Sequence, residues 1–197
     1  FSPAHVGAFL KSSPEVDLPD LQFVFTPASY TEGMIGKLQN IPGITCGVWQ
    51  SRPQSRGYVR ALSSCIKDAP LIQPNYLKET IDQDVLIQGV KICRDLLKTS
   101  NMKKISIKET LPGENVKTDS EILNFVKNNG ATVYHAIGSC RMGIDKDAVV
   151  DADLKLNGVE NLRVADASIM PTMPSGNTNA ATLMIAEKAS DLIKKDK

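Results

Sequence analysis

Only two histidines, His5 and His135, occur in the 197 residues, and they lie far apart in sequence. That scarcity argues against a histidine-rich metal site. The four cysteines (Cys46, Cys65, Cys93 and Cys140) never take C-x-x-C spacing and sit in apolar or strand-like stretches. They read as reduced packing residues rather than a disulfide framework or metal ligands. No apolar run approaches the ~20 residues that cross a bilayer. Nor is there a signal-peptide pattern, although a chain opening at Phe1 without Met leaves room for one already removed. Charge is balanced, 23 basic against 22 acidic residues, so the electrostatic footprint of a nucleic-acid binder is missing. The one basic cluster, Lys194-Lys195-Asp196-Lys197, reads as a solvated helix end, where cations suit the helix dipole. The thirteen glycines never take the G-x-G-x-x-G spacing. A complete dinucleotide-binding fold of that kind is therefore not expected within this chain.

What is present describes a globular protein. Apolar residues make up 42% and charged residues 23%, ordinary values for a soluble domain. A chain of this length fits one domain, or one domain plus part of another, and can bury roughly 70% of its unfolded surface. Asp20–Thr26 alternates and is rich in aromatic and branched residues, which predicts a strand. Gly43–Gln50 predicts a second, and after the turn Arg52–Gly57, Tyr58–Ser63 a third. The short loop between these last two favours antiparallel pairing. Pro70, Pro74 and Asn75 mark irregular chain. From Ile81 to Leu97 the period becomes helical, with Ile81, Val85, Gly89, Ile92, Cys93 and Leu96 on one face. Thr118-Asp119-Ser120-Glu121 fits a capping box and starts a second helix, which Asn128-Asn129-Gly130 stops. A last amphipathic helix is expected from Asn179 to Ile193, with Ile185, Ala189, Leu192 and Ile193 on its packed side. The fold class is α+β, an antiparallel sheet with helices packed on it.

From Tyr134 the chain becomes dense in motifs. Tyr134-His135-Ala136-Ile137-Gly138-Ser139-Cys140-Arg141-Met142-Gly143 is followed by Val149-Val150-Asp151 and Leu154 through Gly158. Next come Asn161-Leu162-Arg163-Val164-Ala165-Asp166-Ala167-Ser168-Ile169-Met170-Pro171 and Ser175-Gly176-Asn177-Thr178-Asn179-Ala180. Together, in this order and spacing, they resemble the closing part of the glucose–methanol–choline (GMC) oxidoreductases, of the choline and alcohol dehydrogenase kind. Upstream, Asp20–Phe25, the Arg52–Gly57 turn and Pro74-Asn75-Tyr76-Leu77 are similar to that family's substrate-binding domain. Ala136 and Ser139 depart from the family's usual Pro and Thr; neither change removes a reacting group.

The resemblance implies a substrate-binding domain over residues 1–140. It also implies a C-terminal segment, 141–197, whose strand and helix would return to complete an FAD-binding domain. The N-terminal FAD domain itself is expected to be missing, so the chain reads as a C-terminal portion, a truncated product or one piece of a split enzyme. The implied activity is FAD-dependent oxidation of the CH–OH group of a small-molecule alcohol, with hydride passing to the flavin N5. His135 matches the catalytic base and Asn177 the second active-site residue. Imidazole titrates near neutral pH, so it accepts a hydroxyl proton without strong tuning. Without the motif, His135 would read as a buried histidine satisfied by a carbonyl, and Asn177 as the N-cap of the last helix. Cofactor contacts implied are Asp166, Ala167, Asn177 and Thr178. Arg141 is assigned no catalytic role. FAD is not expected to bind this chain alone. A same-fold lyase or decarboxylase, and a non-catalytic binding module, are the competing readings. A cytoplasmic location is expected, with peripheral membrane association left open.

Overall fold

The computed structural model describes residues 4–31 and 37–196. In chain order the elements are β1 (Val6–Leu10), β2 (Leu21–Thr26), β3 (Thr45–Gln50), β4 (Tyr58–Arg60), β5 (Leu71–Gln73), α1 (Thr80–Leu97), α2 (Asp119–Asn129) and α3 (Asn179–Lys195). Two antiparallel sheets form, β1-β2-β3 and β4-β5. The α+β class and the antiparallel character of the sheet thus stand. The chain divides into two compact units: Phe1–Ser55 with Asn75–Thr132, and Arg56–Pro74 with Val133–Lys197.

The first unit is built on the alternation of β2. Leu21 and Phe23 are wholly buried, while Gln22 points to the other face, where its Oε1 accepts from the Trp49 indole at 3.1 Å. The buried face meets Val85 and Cys93 of α1, with Val48, Ile92 and Leu96 at the margin. Gly89 explains how closely helix and sheet approach. A Cβ there would lie 2.9 Å from Val48 Cγ2 and 3.2 Å from Leu21 Cδ2. The glycine weakens the helix by roughly 1 kcal/mol relative to Ala, and the close packing offsets this. Ile81 departs from expectation and is exposed, because the first turn of α1 instead points Asp82 inward, where it is 1% exposed. The capping box forms as expected. Thr118 accepts from the Glu121 N–H, and Glu121 accepts from the Thr118 N–H. α2 ends at Asn129.

Three local expectations are corrected. β3 does not pair with the strand that follows it; β3 pairs with β2, and β4 with β5. The reason is the turn at Arg52–Gly57, which ends one sheet and starts the other instead of forming a hairpin. The third strand stops at Arg60, and the proline-marked stretch after it contains β5 between Pro70 and Pro74. β1, whose Val6–Leu10 run is short and glycine-bearing, carries no clear period; it pairs antiparallel to β2.

The second unit packs Val150, Leu154, Ile169, Met170, Ile185 and Ala189 into one cluster. Its middle was expected to include a strand. Among the described residues, 141–163 instead makes single bridges, Met142 with Val150, Val150 with Leu156 and Lys155 with Arg163. Tight reversals at Leu154 (φ 66°), Gly158 (φ 80°) and Asn161 (φ 60°) leave no straight run long enough to ladder. α3 buries Ile185 and Ala189, with Leu192 partly covered. Ile193 faces outward at 47% exposure, since the chain is in the last turn there. Arg163 ties that end down through an ion pair with Asp196.

Of the cysteines, Cys93 is buried and Cys46 and Cys140 are half-buried; all four are free thiols. Cys65 is exposed, contrary to the packing role expected of it, because it sits in the bends that follow β4. Among the described residues no helix is long and apolar enough to cross a membrane.

Candidate active site

His135 and Asn177, 42 residues apart in sequence, meet in the second unit: Asn177 Nδ2 is 3.1 Å from His135 Nε2. Two local features position the histidine. Before it, Tyr134 takes a left-handed backbone (φ 61°); after it, Gly138 does the same (φ 82°). A Cβ on Gly138 would lie 3.3 Å from the Met170 carbonyl, so that residue is constrained by both angle and space. The chain beyond is then zipped to the 3₁₀ turn Ala167–Ile169. Cys140 N–H donates to the Ser168 carbonyl at 3.0 Å, and Met142 N–H to the Ile169 carbonyl at 2.8 Å. Since Ile169 and Met170 belong to the buried cluster, the histidine is anchored to the core through its own strand-like tail.

The imidazole is held on both edges. Nε2 faces the exposed Asn177, while Nδ1 lies 3.1 Å from the hydroxyl of Thr178, which is 8% exposed. One ring nitrogen thus points to the open side of the site and the other into the protein. Asn177 is not the N-cap of α3. Thr178 occupies that position, its carbonyl accepting from the Thr182 N–H at 2.9 Å. The Thr178 side chain makes no cap bond to α3, and the Asn177 amide meets the histidine.

The remaining predicted residues stand in the 3₁₀ turn. Asp166 is exposed at the turn's N-cap and accepts from the Ser168 N–H at 2.7 Å. Hydrogen bonds from the Ser168 hydroxyl and N–H hold its carboxyl below the usual carboxylate range. Ala167 packs against the buried cluster. Neither touches His135 by a hydrogen bond that brings it into the His–Asn pair. Arg141 is engaged with Asp145 through both terminal nitrogens, at 2.8 and 2.6 Å.

The hydroxyl of Thr178 was not legible as a histidine partner. The resemblance implies a cofactor contact for Thr178, and nothing in a Thr after an Asn signals which side chain its hydroxyl will meet.

Residues 53–186 match the model of the GMC oxidoreductase family, and the chain belongs to that family. It is 43% identical over 190 residues to an alcohol dehydrogenase [acceptor] of Pseudomonas putida, covering 96% of this chain and 34% of that protein. It is 41% identical over 191 residues to the mitochondrial choline dehydrogenase of Mus musculus, covering 95% and 32%. Among solved structures it resembles pyridoxine 4-oxidase of Mesorbium loti, with a TM-score of 0.86, 28% identity and coverage of 96% and 37%. A formate oxidase of Aspergillus oryzae, solved to follow the effect of a mutation on its FAD modification, shares the fold at a TM-score of 0.76 and 25% identity, covering 92% of this chain and 32% of that one. The chain spans about a third of the length of the curated relatives it matches.

Proposed function

We propose that this chain carries the substrate-facing side of the active site of an FAD-dependent oxidoreductase acting on the CH–OH group of an alcohol. The observation that carries this reading is the His135–Asn177 pair, side chains 42 residues apart in sequence that meet at 3.1 Å in a member of the GMC family. The 43%-identical relative named as an alcohol dehydrogenase supports the choice of substrate class. We assign residues 1–140 to the substrate-binding domain and 141–197 to the segment that completes the FAD-binding domain.

FAD, when bound, supplies the hydride acceptor. His135 takes the hydroxyl proton at Nε2, the nitrogen on the open side. Asn177 orients the alcohol oxygen, since an amide both donates and accepts without competing for the proton. The residues present suit such a cofactor. The first turn of α3, which the Thr178 side chain does not cap, carries the positive end of the helix dipole, which suits an electron-rich ring edge. Asp166, exposed and ionised, offers acceptors for hydroxyl groups. With the remainder of the FAD site contributed by sequence that the longer relatives carry, the isolated chain is inactive.

The test uses the whole enzyme with FAD, a panel of alcohols and an artificial electron acceptor. His135→Ala should lower turnover by ~10²–10⁴-fold, the usual contribution of a general base. Asn177→Ala should lower it less and raise KM. Flavin that no alcohol reduces, or a His135→Ala enzyme with full activity, would overturn the assignment.

A further inference from the structure

A histidine base works only if the nitrogen facing the substrate is unprotonated, so its tautomer has to be fixed by something. Neutral imidazole in water favours the proton on Nε2, which would leave His135 with N–H rather than a lone pair on its open side. The packing around the ring opposes that preference. Nε2 receives the Asn177 amide N–H at 3.1 Å, a donor, so this nitrogen is the acceptor. The proton then resides on Nδ1, and its partner is the Thr178 hydroxyl oxygen at 3.1 Å. Burial adds a second constraint. Thr178 is 8% exposed, so its hydroxyl meets the ring from the protein side, away from bulk water.

We propose that Thr178 is a positioning residue: its buried hydroxyl accepts the Nδ1 proton of His135 and holds the tautomer in which Nε2 is free to act as base. The inference rests on the reading of His135 as the base, but the tautomer itself can be measured without any turnover. Thr178 also leads directly into α3, whose buried Ile185 and Ala189 fix the helix in the core, so the hydroxyl is carried by a rigid element. Its side chain makes no cap contact to the helix, which leaves the histidine as the group it serves.

The experiment is nitrogen NMR of the full chain with labelled histidine. With only two histidines, His135 is identified by the signals that vanish in His135→Gln. The expected pattern is protonated Nδ1 and unprotonated Nε2 at a pH where the ring is neutral. Thr178→Val, nearly the same shape, should convert His135 to the Nε2–H form or a mixture, while Thr178→Ser keeps the wild-type pattern. On the whole enzyme, Thr178→Val should lower kcat by ~10–100-fold with KM little changed, less than loss of the base itself, and Thr178→Ser should restore most of it. A wild-type ring protonated on Nε2, or a Thr178→Val ring that keeps its proton on Nδ1, would overturn the proposal. If His135→Ala remains active while the NMR pattern holds, the base assignment fails and the tautomer lock stands.

Discussion

Ser55 donates two hydrogen bonds to the carboxylate of Asp82, one from its backbone N–H at 2.7 Å and one from its hydroxyl. The same carboxylate accepts the Gln54 N–H at 2.8 Å and the Gln50 amide at 2.9 Å. A buried acid in the first turn of α1 thus gathers the chain that leaves β3. Burial is tolerated because both carboxylate oxygens accept hydrogen bonds, which for a carboxylate is the condition for staying ionised.

Asp82→Asn should therefore destabilise the first unit by about 2–4 kcal/mol, because one oxygen becomes an N–H₂ facing donors. Denaturant unfolding measures it; a change within error would show that water replaces these bonds at no cost. The effect is pH-dependent. Burial pushes the Asp82 carboxyl up, but the hydrogen bonds from Gln54, Ser55 and Gln50 together push it down further, leaving it below its ordinary value. Its contribution is complete above the unfolded pKa of about 3.9 and is lost as pH falls through the lower folded value. The difference between wild type and Asp82→Asn should accordingly narrow on strong acidification.

Thr118→Ala should cost about 1 kcal/mol, the usual loss when a hydroxyl N-cap is removed. The predicted signature is faster amide hydrogen exchange in the first turn of α2, with α1 less affected. Equal loosening of both helices would show that the cap acts through their packing, not locally.

Cys46 Sγ and Cys93 Sγ are 3.0 Å apart, joining β3 to α1 across the buried face. The contact lowers the Cys46 thiol pKa and raises that of Cys93, whose burial pushes the same way. On treatment with oxidised glutathione, Cys46 as thiolate should attack the disulfide and release one glutathione. Cys93 then gives up its proton and displaces the second, so two thiols are oxidised as one small disulfide is reduced. Peptide mapping should find the Cys46–Cys93 link, absent in Cys46→Ser. Glutathione carried only on exposed Cys65 would contradict it.

Much of this could be read without coordinates. The alternation of residues 20–26, the helical period after Ile81 and the Thr118–Glu121 box each express a local rule, and local rules survive into the fold. The motifs around His135 and Asn177 named the family. Long-range pairing is another matter. The short loop at Arg52–Gly57 favours antiparallel pairing of its flanking strands, yet β3 pairs with β2 and β4 with β5. Period alone places Ile81 inward, whereas Asp82 turns inward because donors from Gln50 of β3 and from Gln54 and Ser55 beyond it are there to meet it.

The sequence by itself determined the class of the fold, most of the helix boundaries and the residue types that carry the chemistry, since these follow from local periodicity, capping and motif spacing. The tertiary structure decided which residues touch. That Asn177 meets a histidine 42 residues away, and that the next side chain takes the other ring nitrogen, depends on packing α3 against Val150, Leu154 and Ile169. Contacts over such separations are set by how cores close, and no single stretch of chain encodes them.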